Sequence, residues 1–289
     1  MLERIDRVQM AVPDMKAVAL GWVDLLGAEY DGSDRVDGLA AKRARYRLGD
    51  GWVELLEPDG AGPVADAVAR RGGGHLFAAG VSTGDIGGVE ARVRRFGCNP
   101  LLEGGQVYLD GADTGGHGLR IVVSADEKLA PVGVIDRFYE VTNLVRDCEP
   151  SLVRLAELFD LNRGDFVPIR SKEFGYDGTL TLFDADRLDR IEVIRPCEPD
   201  KTMGRFFERH GEALYMAFAE ADGLAGIEEK ARGLGAKVTA MGGSGSDNAQ
   251  GPHTLFVHPP VLGGMMLGLS RRGYAWTWSG RPDRATAGA

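Results

Sequence analysis

The 289-residue chain has only three cysteines, Cys98, Cys148 and Cys197, widely spaced and with no C-x-x-C. That count and spacing give no disulfide framework and no thiolate zinc site, and they fit a reducing cytoplasm. Basic charge is also short: Lys+Arg 34 against Asp+Glu 43, a net charge of −9, with no basic run. Nucleic acid and anionic membrane surfaces are therefore excluded as main partners. No apolar stretch approaches the ~20 residues of a membrane span. The charged opening, MLERIDRVQM, reads as a strand, so no signal peptide is expected there. What the chain does have is glycine, 42 residues of it, and 44% hydrophobic residues. This is the composition of a soluble globular protein with many tight turns.

The turns punctuate a repeat. Three segments, DMKAVALGWVDLLG (14–27), DIGGVEARVRRFG (85–97) and DGLAGIEEKARGLG (222–235), each open on an Asp and close on a Gly. Aspartate can cap the first free amides of a helix and glycine can take the left-handed closing conformation, so each reads as a helix of about three turns. A fourth runs from Asp147 to about Leu161. An apolar strand-like stretch precedes each helix (4–12, 75–81, 135–145 and 213–220), and short β-like segments such as RARYRL, VYLDG, TLTLF and HTLFVHP follow. The unit is β-α-β-β-β, four times over. The halves match each other: Ile5-Asp6-Arg7 recurs as Ile135-Asp136-Arg137, and VELLEP (53–58) recurs as IEVIRP (191–196). The polar segment SADEKLAPVG (124–133) is the expected linker.

This layout resembles the vicinal oxygen chelate superfamily, which includes glyoxalase I, methylmalonyl-CoA epimerase, extradiol ring-cleaving dioxygenases and bleomycin-resistance proteins. The phrases IDRVQMAVPDMKAVALGWVDLLGAEY and FVHPPVLGGMMLGLS carry it best. The resemblance implies an α+β fold of four βαβββ units in two glyoxalase-like domains with curled mixed sheets. They span 1–125 (units about 4–58 and 75–124) and 134–272 (units about 134–196 and 212–270). A C-terminal tail follows at 273–289, frayed from about 279. A homodimer is compatible with this layout.

The family holds a divalent ion between inward-facing positions on the first and last strands of paired units. In the first half those positions fall on Arg7, Glu54, His75 or Leu76, and Val122; in the second on Arg137, Glu192, Tyr215 or Met216, and Gly268. Glu54 and His75 are the candidate ligands for Zn, Mn, Ni or Fe, an incomplete set, and a metal-free cavity is at least an equal expectation. A guanidinium cannot ligate a cation. An Arg at the first position and a Glu at the last, in both halves, instead suggest an ion pair in place of the metal charge.

The candidate catalytic residues are thus Glu54, His75, Glu192, Arg7 and Arg137, and the candidate substrate-binding residues Tyr139, Tyr215 and His258. Core tyrosines and solvent-facing arginines are the plain alternatives. Tyr176 is a further phenol. Arg43, Arg45 and Arg47 alternate along a strand and could meet a substrate carboxylate or phosphate. The glycine-rich MGGSGSDNAQG (241–251) reads as a mobile hairpin loop rather than a phosphate cradle. Three functions follow as expectations. The first is a lyase or isomerase/epimerase acting on a carbonyl or thioester by proton transfer with enolate stabilisation. The second is a metal-free small-molecule-binding protein. The third, an extradiol dioxygenase, would need an iron triad where Arg137, Tyr215 or Met216, and Gly268 stand.

Overall fold

The computed structural model describes residues 1–242 and 251–285. Four βαβββ units follow one another. The first is β1 (Ile5–Ala11), α1 (Met15–Leu26), β2 (Glu29–Val36), β3 (Ala41–Leu48) and β4 (Gly51–Pro58). Helix α2 (Pro63–Arg71) leads to the second: β5 (His75–Thr83), α3 (Ile86–Arg95), β6 (Leu101–Glu103), β7 (Gln106–Leu109) and β8 (Ile121–Ala125). The third is β9 (Arg137–Leu144), α4 (Cys148–Phe159), β10 (Val167–Ser171), β11 (Tyr176–Leu182) and β12 (Arg190–Pro196). Helix α5 (Thr202–His210) leads to the fourth: β13 (Ala213–Glu220), α6 (Leu224–Gly233), β14 (Val238–Met241), β15 (Thr254–Val257) and β16 (Met266–Ser270).

Two eight-stranded mixed sheets result, ordered β2-β3-β4-β1-β5-β8-β7-β6 and β10-β11-β12-β9-β13-β16-β15-β14. The expected α+β architecture is therefore present. By packing, the chain divides into two compact units. One comprises 6–77, 128–139 and 216–289; the other comprises 1–5, 78–127 and 140–215. The first and fourth repeats thus make up most of one unit, and the second and third most of the other.

The helix signals act largely as read. Asp14 accepts from the Ala17 amide at 3.0 Å, and Gly27 closes α1 at φ 74°. Asp85 caps Gly88 and Asp147 caps Glu149 in the same way. Asp222 differs: Gly223 holds the cap position of α6, and Asp222 lies 3.4 Å from Arg272. Helices α2 and α5 lie outside the repeat pattern. Pro63 starts α2 and Gly72 ends it at φ 74°. In α1, Ala19, Trp22, Leu25 and Leu26 are buried, the stripe that seats an amphipathic helix. Gly21 in α1 is required by contact, because a Cβ there would lie 1.8 Å from the Val261 carbonyl oxygen.

The chain is packed up to Ser279, the start of the tail segment expected to fray. Trp276 is buried, Tyr274 stacks on His253 at 4.2 Å, and the Ser279 hydroxyl donates to the Ala275 carbonyl. Most of the glycine-rich segment, 243–250, lies outside the described residues.

Candidate functional site

Strand register decides which side chains share a face. Parallel pairing of β1 with β4 sets Gln9 level with Glu54, with Arg7 two residues before Gln9 on the same face. Glu54 has no solvent exposure, and each of its oxygens has a partner. Arg7 Nη1 donates to Oε1 at 2.8 Å and Gln9 Nε2 to Oε2 at 2.6 Å. Arg43, itself buried, brings Nη1 to 3.6 Å from Oε1. Arg7 also binds Asp6, with Nη2 to Oδ2 at 2.6 Å. Burial works against the Arg7 charge, but the Asp6 and Glu54 carboxylates outweigh it and raise its pKa above the usual arginine value. The Arg7–Glu54 pair read from the sequence is thus present, as a buried ion-pair centre.

The second half reverses the charges. Parallel pairing of β12 with β9 sets Glu192 level with Thr142 and Arg190 level with Glu140. The position matching Arg7, two residues before the residue level with the glutamate, is Glu140. Arg190 Nε donates to Glu140 Oε2 at 2.6 Å, and the Thr142 hydroxyl donates to Glu192 Oε2 at 2.5 Å. The two carboxyl groups lie close enough to perturb each other's ionisation. All four side chains are buried. Burial first, then the neighbouring Glu140 charge, raises the Glu192 pKa to about 8. Burial raises Glu140 as well, against the pull of Arg190. Arg190 favours the charged form of both carboxyl groups and hydrogen-bonds Glu140 directly. Tyr176 lies on the same face, four residues before Leu180, which pairs with Glu192. Burial, then the two glutamates, pushes its phenol well above the usual range.

Arg137 is the correction. The Ile-Asp-Arg triplet recurs in sequence, but in the second half it stands three residues further from the level of the glutamate. An odd shift along a strand turns a side chain to the opposite face. Arg137 Nε accordingly donates to Glu220 Oε2 at 2.9 Å, not to Glu192.

The other candidates stand apart from this cluster. His75 is buried at the start of β5, with Nδ1 3.2 Å from the Gly73 carbonyl oxygen. It shares a compact unit with Glu54, whereas Glu192 is in the other. The fully buried Tyr139 shares a hydrogen bond with Ser270 at 3.1 Å. Tyr215 packs edge-on against Phe206 at 4.8 Å, and burial lifts its pKa to about 12. His258 Nε2 lies 2.9 Å from the Thr239 hydroxyl, and burial with the Lys237 charge lowers its pKa. An open groove of about 600 Å³, with Cys148, Arg170, Asp177 and Arg195 among its lining residues, lies on the opposite face of β11 and β12 from Glu192.

Among the described residues, no group of three or more His, Cys, Asp and Glu side chains is placed to hold a metal ion. The donor set around Glu54 agrees: its oxygens face a guanidinium and an amide N–H, and a guanidinium repels a cation. These residues do not fit a divalent ion. Among the described residues, no helix is long and apolar enough to cross a membrane.

No protein-family model and no curated protein matches the sequence. Solved structures do match. A mutant of 4-hydroxymandelate synthase from Streptomyces coelicolor is 15% identical, with 99% of this chain and 98% of that chain covered and a TM-score of 0.72. A xylose isomerase-like TIM barrel/4-hydroxyphenylpyruvate dioxygenase fusion protein is 13% identical, with 95% of this chain and 50% of that chain covered and a TM-score of 0.63. Methylmalonyl-CoA epimerase from Mycobacterium tuberculosis is 15% identical over 48% of this chain and 89% of its own, with a TM-score of 0.39. The chain has the vicinal oxygen chelate fold in its tandem, two-sheet form. At these identities the likeness is one of fold.

Proposed function

We propose that this chain is a small-molecule enzyme of the lyase or isomerase/epimerase kind. It moves a proton on a carbonyl or thioester compound, with Glu192 as the acid–base group. The buried Glu140–Glu192 carboxyl pair carries this reading. A general acid–base group serves best when its pKa lies near the working pH, and burial beside a second carboxylate brings Glu192 there. Thr142 fixes one oxygen of Glu192, while Arg190 binds Glu140 directly and favours its ionised form. In the ionised state Glu192 takes a proton from the carbon beside the substrate carbonyl. Tyr176, held in its protonated form, is a neutral donor on the same face for the developing enolate oxygen. Arg7 and Arg137 are committed to carboxylates of the protein and do not serve that oxygen.

The test is deuterium exchange followed by proton NMR in D2O, over a panel of α-hydroxy carbonyl and acyl-thioester compounds. The protein should exchange the α-proton of at least one class. Glu192→Gln should slow that exchange by about 10²-fold or more. Equal rates in both proteins would end the proposal.

A second reading, a metal-free small-molecule-binding protein, is favoured by the saturation of Glu54. A carboxylate with no exposure and both oxygens occupied offers a ligand nothing to react with. Saturable binding without exchange of any compound would select it. Ring cleavage by a dioxygenase is compatible with the fold, but Arg137, Tyr215, Met216 and Gly268 offer no iron ligand set.

A further inference from the structure

Not every guanidinium on the face that holds Glu54 has a bonded partner. Antiparallel pairing of β3 with β4 sets Arg43, Arg45 and Arg47 opposite Leu56, Glu54 and Trp52, so the three guanidinium groups share the Glu54 face. Two of the three have clear duties. Arg43 holds Asp34 through Nη2 at 2.6 Å and Nε at 2.8 Å. Arg47 donates Nη2 to the Ala130 carbonyl at 2.8 Å and lies over the Trp52 ring at 5.2 Å.

Arg45 is different. It is half-buried, its Nε is shut away from solvent, and among the described residues its side chain makes no hydrogen bond and no ion pair. Its neighbour across β2 is Gly32, at a register shift in the strand and with φ 144°. A Cβ there would reach 3.8 Å from Arg45 Nη2. Glycine therefore leaves that side of the guanidinium without a covering side chain. At the other end of the same row stands Gln9, fully buried, with Oε1 lacking a donor. Gln9, Glu54, Arg45 and Gly32 run level across four strands.

We infer that Arg45 anchors an oxyanion-binding site, where the planar fork of its guanidinium takes the carboxylate or phosphate group of a small molecule on the side left open by Gly32. A half-buried guanidinium with a buried, unpaired Nε is costly, and a bound oxyanion offsets the cost with charge-assisted bonds. The unpaired Nε of Arg47, two residues along, adds to the field. Arg45 and Glu192 are in different compact units, so this site goes beyond the proton-transfer reading and stands or falls separately.

Isothermal titration of the full chain at low ionic strength, with malonate and separately with inorganic phosphate, tests the site. Saturable binding should weaken at least about tenfold in Arg45→Gln. It should be partly restored in Arg45→Lys and unchanged in the exposed control Arg163→Gln. Preference for malonate assigns a carboxylate ligand, preference for phosphate a phosphate ligand, and equal binding a general oxyanion site. If Arg45→Gln fails to fold, phenylglyoxal labelling of Arg45 in the native chain, read by peptide mass spectrometry, should be slowed by the bound anion. Absence of binding by both anions, binding unchanged in Arg45→Gln, or labelling that neither anion slows would each overturn the inference.

Discussion

Replacing Arg7 with Met removes the one guanidinium that binds both Asp6 and Glu54. Both carboxylates are buried, at 3% and 0% exposure. After the change Glu54 keeps the Gln9 amide, and Arg43 at 3.6 Å, but Arg43 is already shared with Asp34. Glu54 and Asp34 then share the Arg43 guanidinium, and Asp6 loses the arginine that binds it. Breaking a buried pair from one side costs about 3–5 kcal/mol, because the abandoned charge stays in a low-dielectric site. At roughly 2–4 °C per kcal/mol for a domain of this size, the midpoint should fall by roughly 6–20 °C. Urea unfolding followed by far-UV circular dichroism and tryptophan fluorescence measures the loss, and coincidence of the two probes tests whether the transition is two-state. Glu54→Gln should also destabilise, and the double variant should lose less than the sum by about 0.5–3 kcal/mol. Losses under about 1 kcal/mol for both single variants would refute the claim that breaking this pair leaves a buried, uncompensated charge.

Arg190→Leu should likewise cost about 3–5 kcal/mol in urea unfolding, since Glu140 would be left as a buried charge with its strongest partner gone. Glu192 makes stability depend on pH in a stated direction. Its folded pKa of about 8 lies above the ordinary glutamate value of 4.5. The folded state therefore binds more protons between those values, and stability falls as pH rises through that window. Chemical unfolding at several pH values should show this fall flattened in Glu192→Gln; an unchanged slope would contradict the raised Glu192 pKa. Gly21→Ala reverses the usual rule. Alanine favours a helix by about 1 kcal/mol over glycine. Here the added carbon meets the Val261 carbonyl oxygen at 1.8 Å, so thermal unfolding should show a net loss of about 1–3 kcal/mol.

The repeat was legible because its punctuation is local. An Asp that caps and a Gly that turns left-handed act within a few residues, so three of the four helix starts could be read correctly. At the fourth, Gly223 rather than Asp222 occupies the cap, a choice the Asp-Gly pair leaves open. The starting Pro63 and closing Gly72 of α2 are signals of the same local kind, but this helix falls between the repeats. The Arg7–Glu54 pair was readable because both halves of VELLEP and IDR sit in register. The second-half site was not, because register between strands is a non-local property. The Ile135-Asp136-Arg137 match is real in sequence, yet three residues of strand separate it from its structural counterpart. The signal that could have found Glu140 was spacing: Arg190 lies two residues before Glu192, and Glu140 two before Thr142, so each pair falls on one strand face.

The reversal of charge between the halves bears on whether they can be exchanged. In the first half the cation comes from the opening strand and in the second from the closing strand. A chimera carrying β9 in place of β1, aligned by register, would set Glu140 beside Glu54, with Trp52 where Arg190 should be. The opposite graft would set Arg7 beside Arg190 with Glu192 between them, and Glu192 would have no second carboxyl beside it. A homolog assembled from two copies of either half would keep a self-consistent ion pair in both sheets. It would, however, own two copies of the same chemistry. The present chain, with one saturated carboxylate and one buried carboxyl pair, places opposite charges at matching positions, so neither strand can stand in for the other.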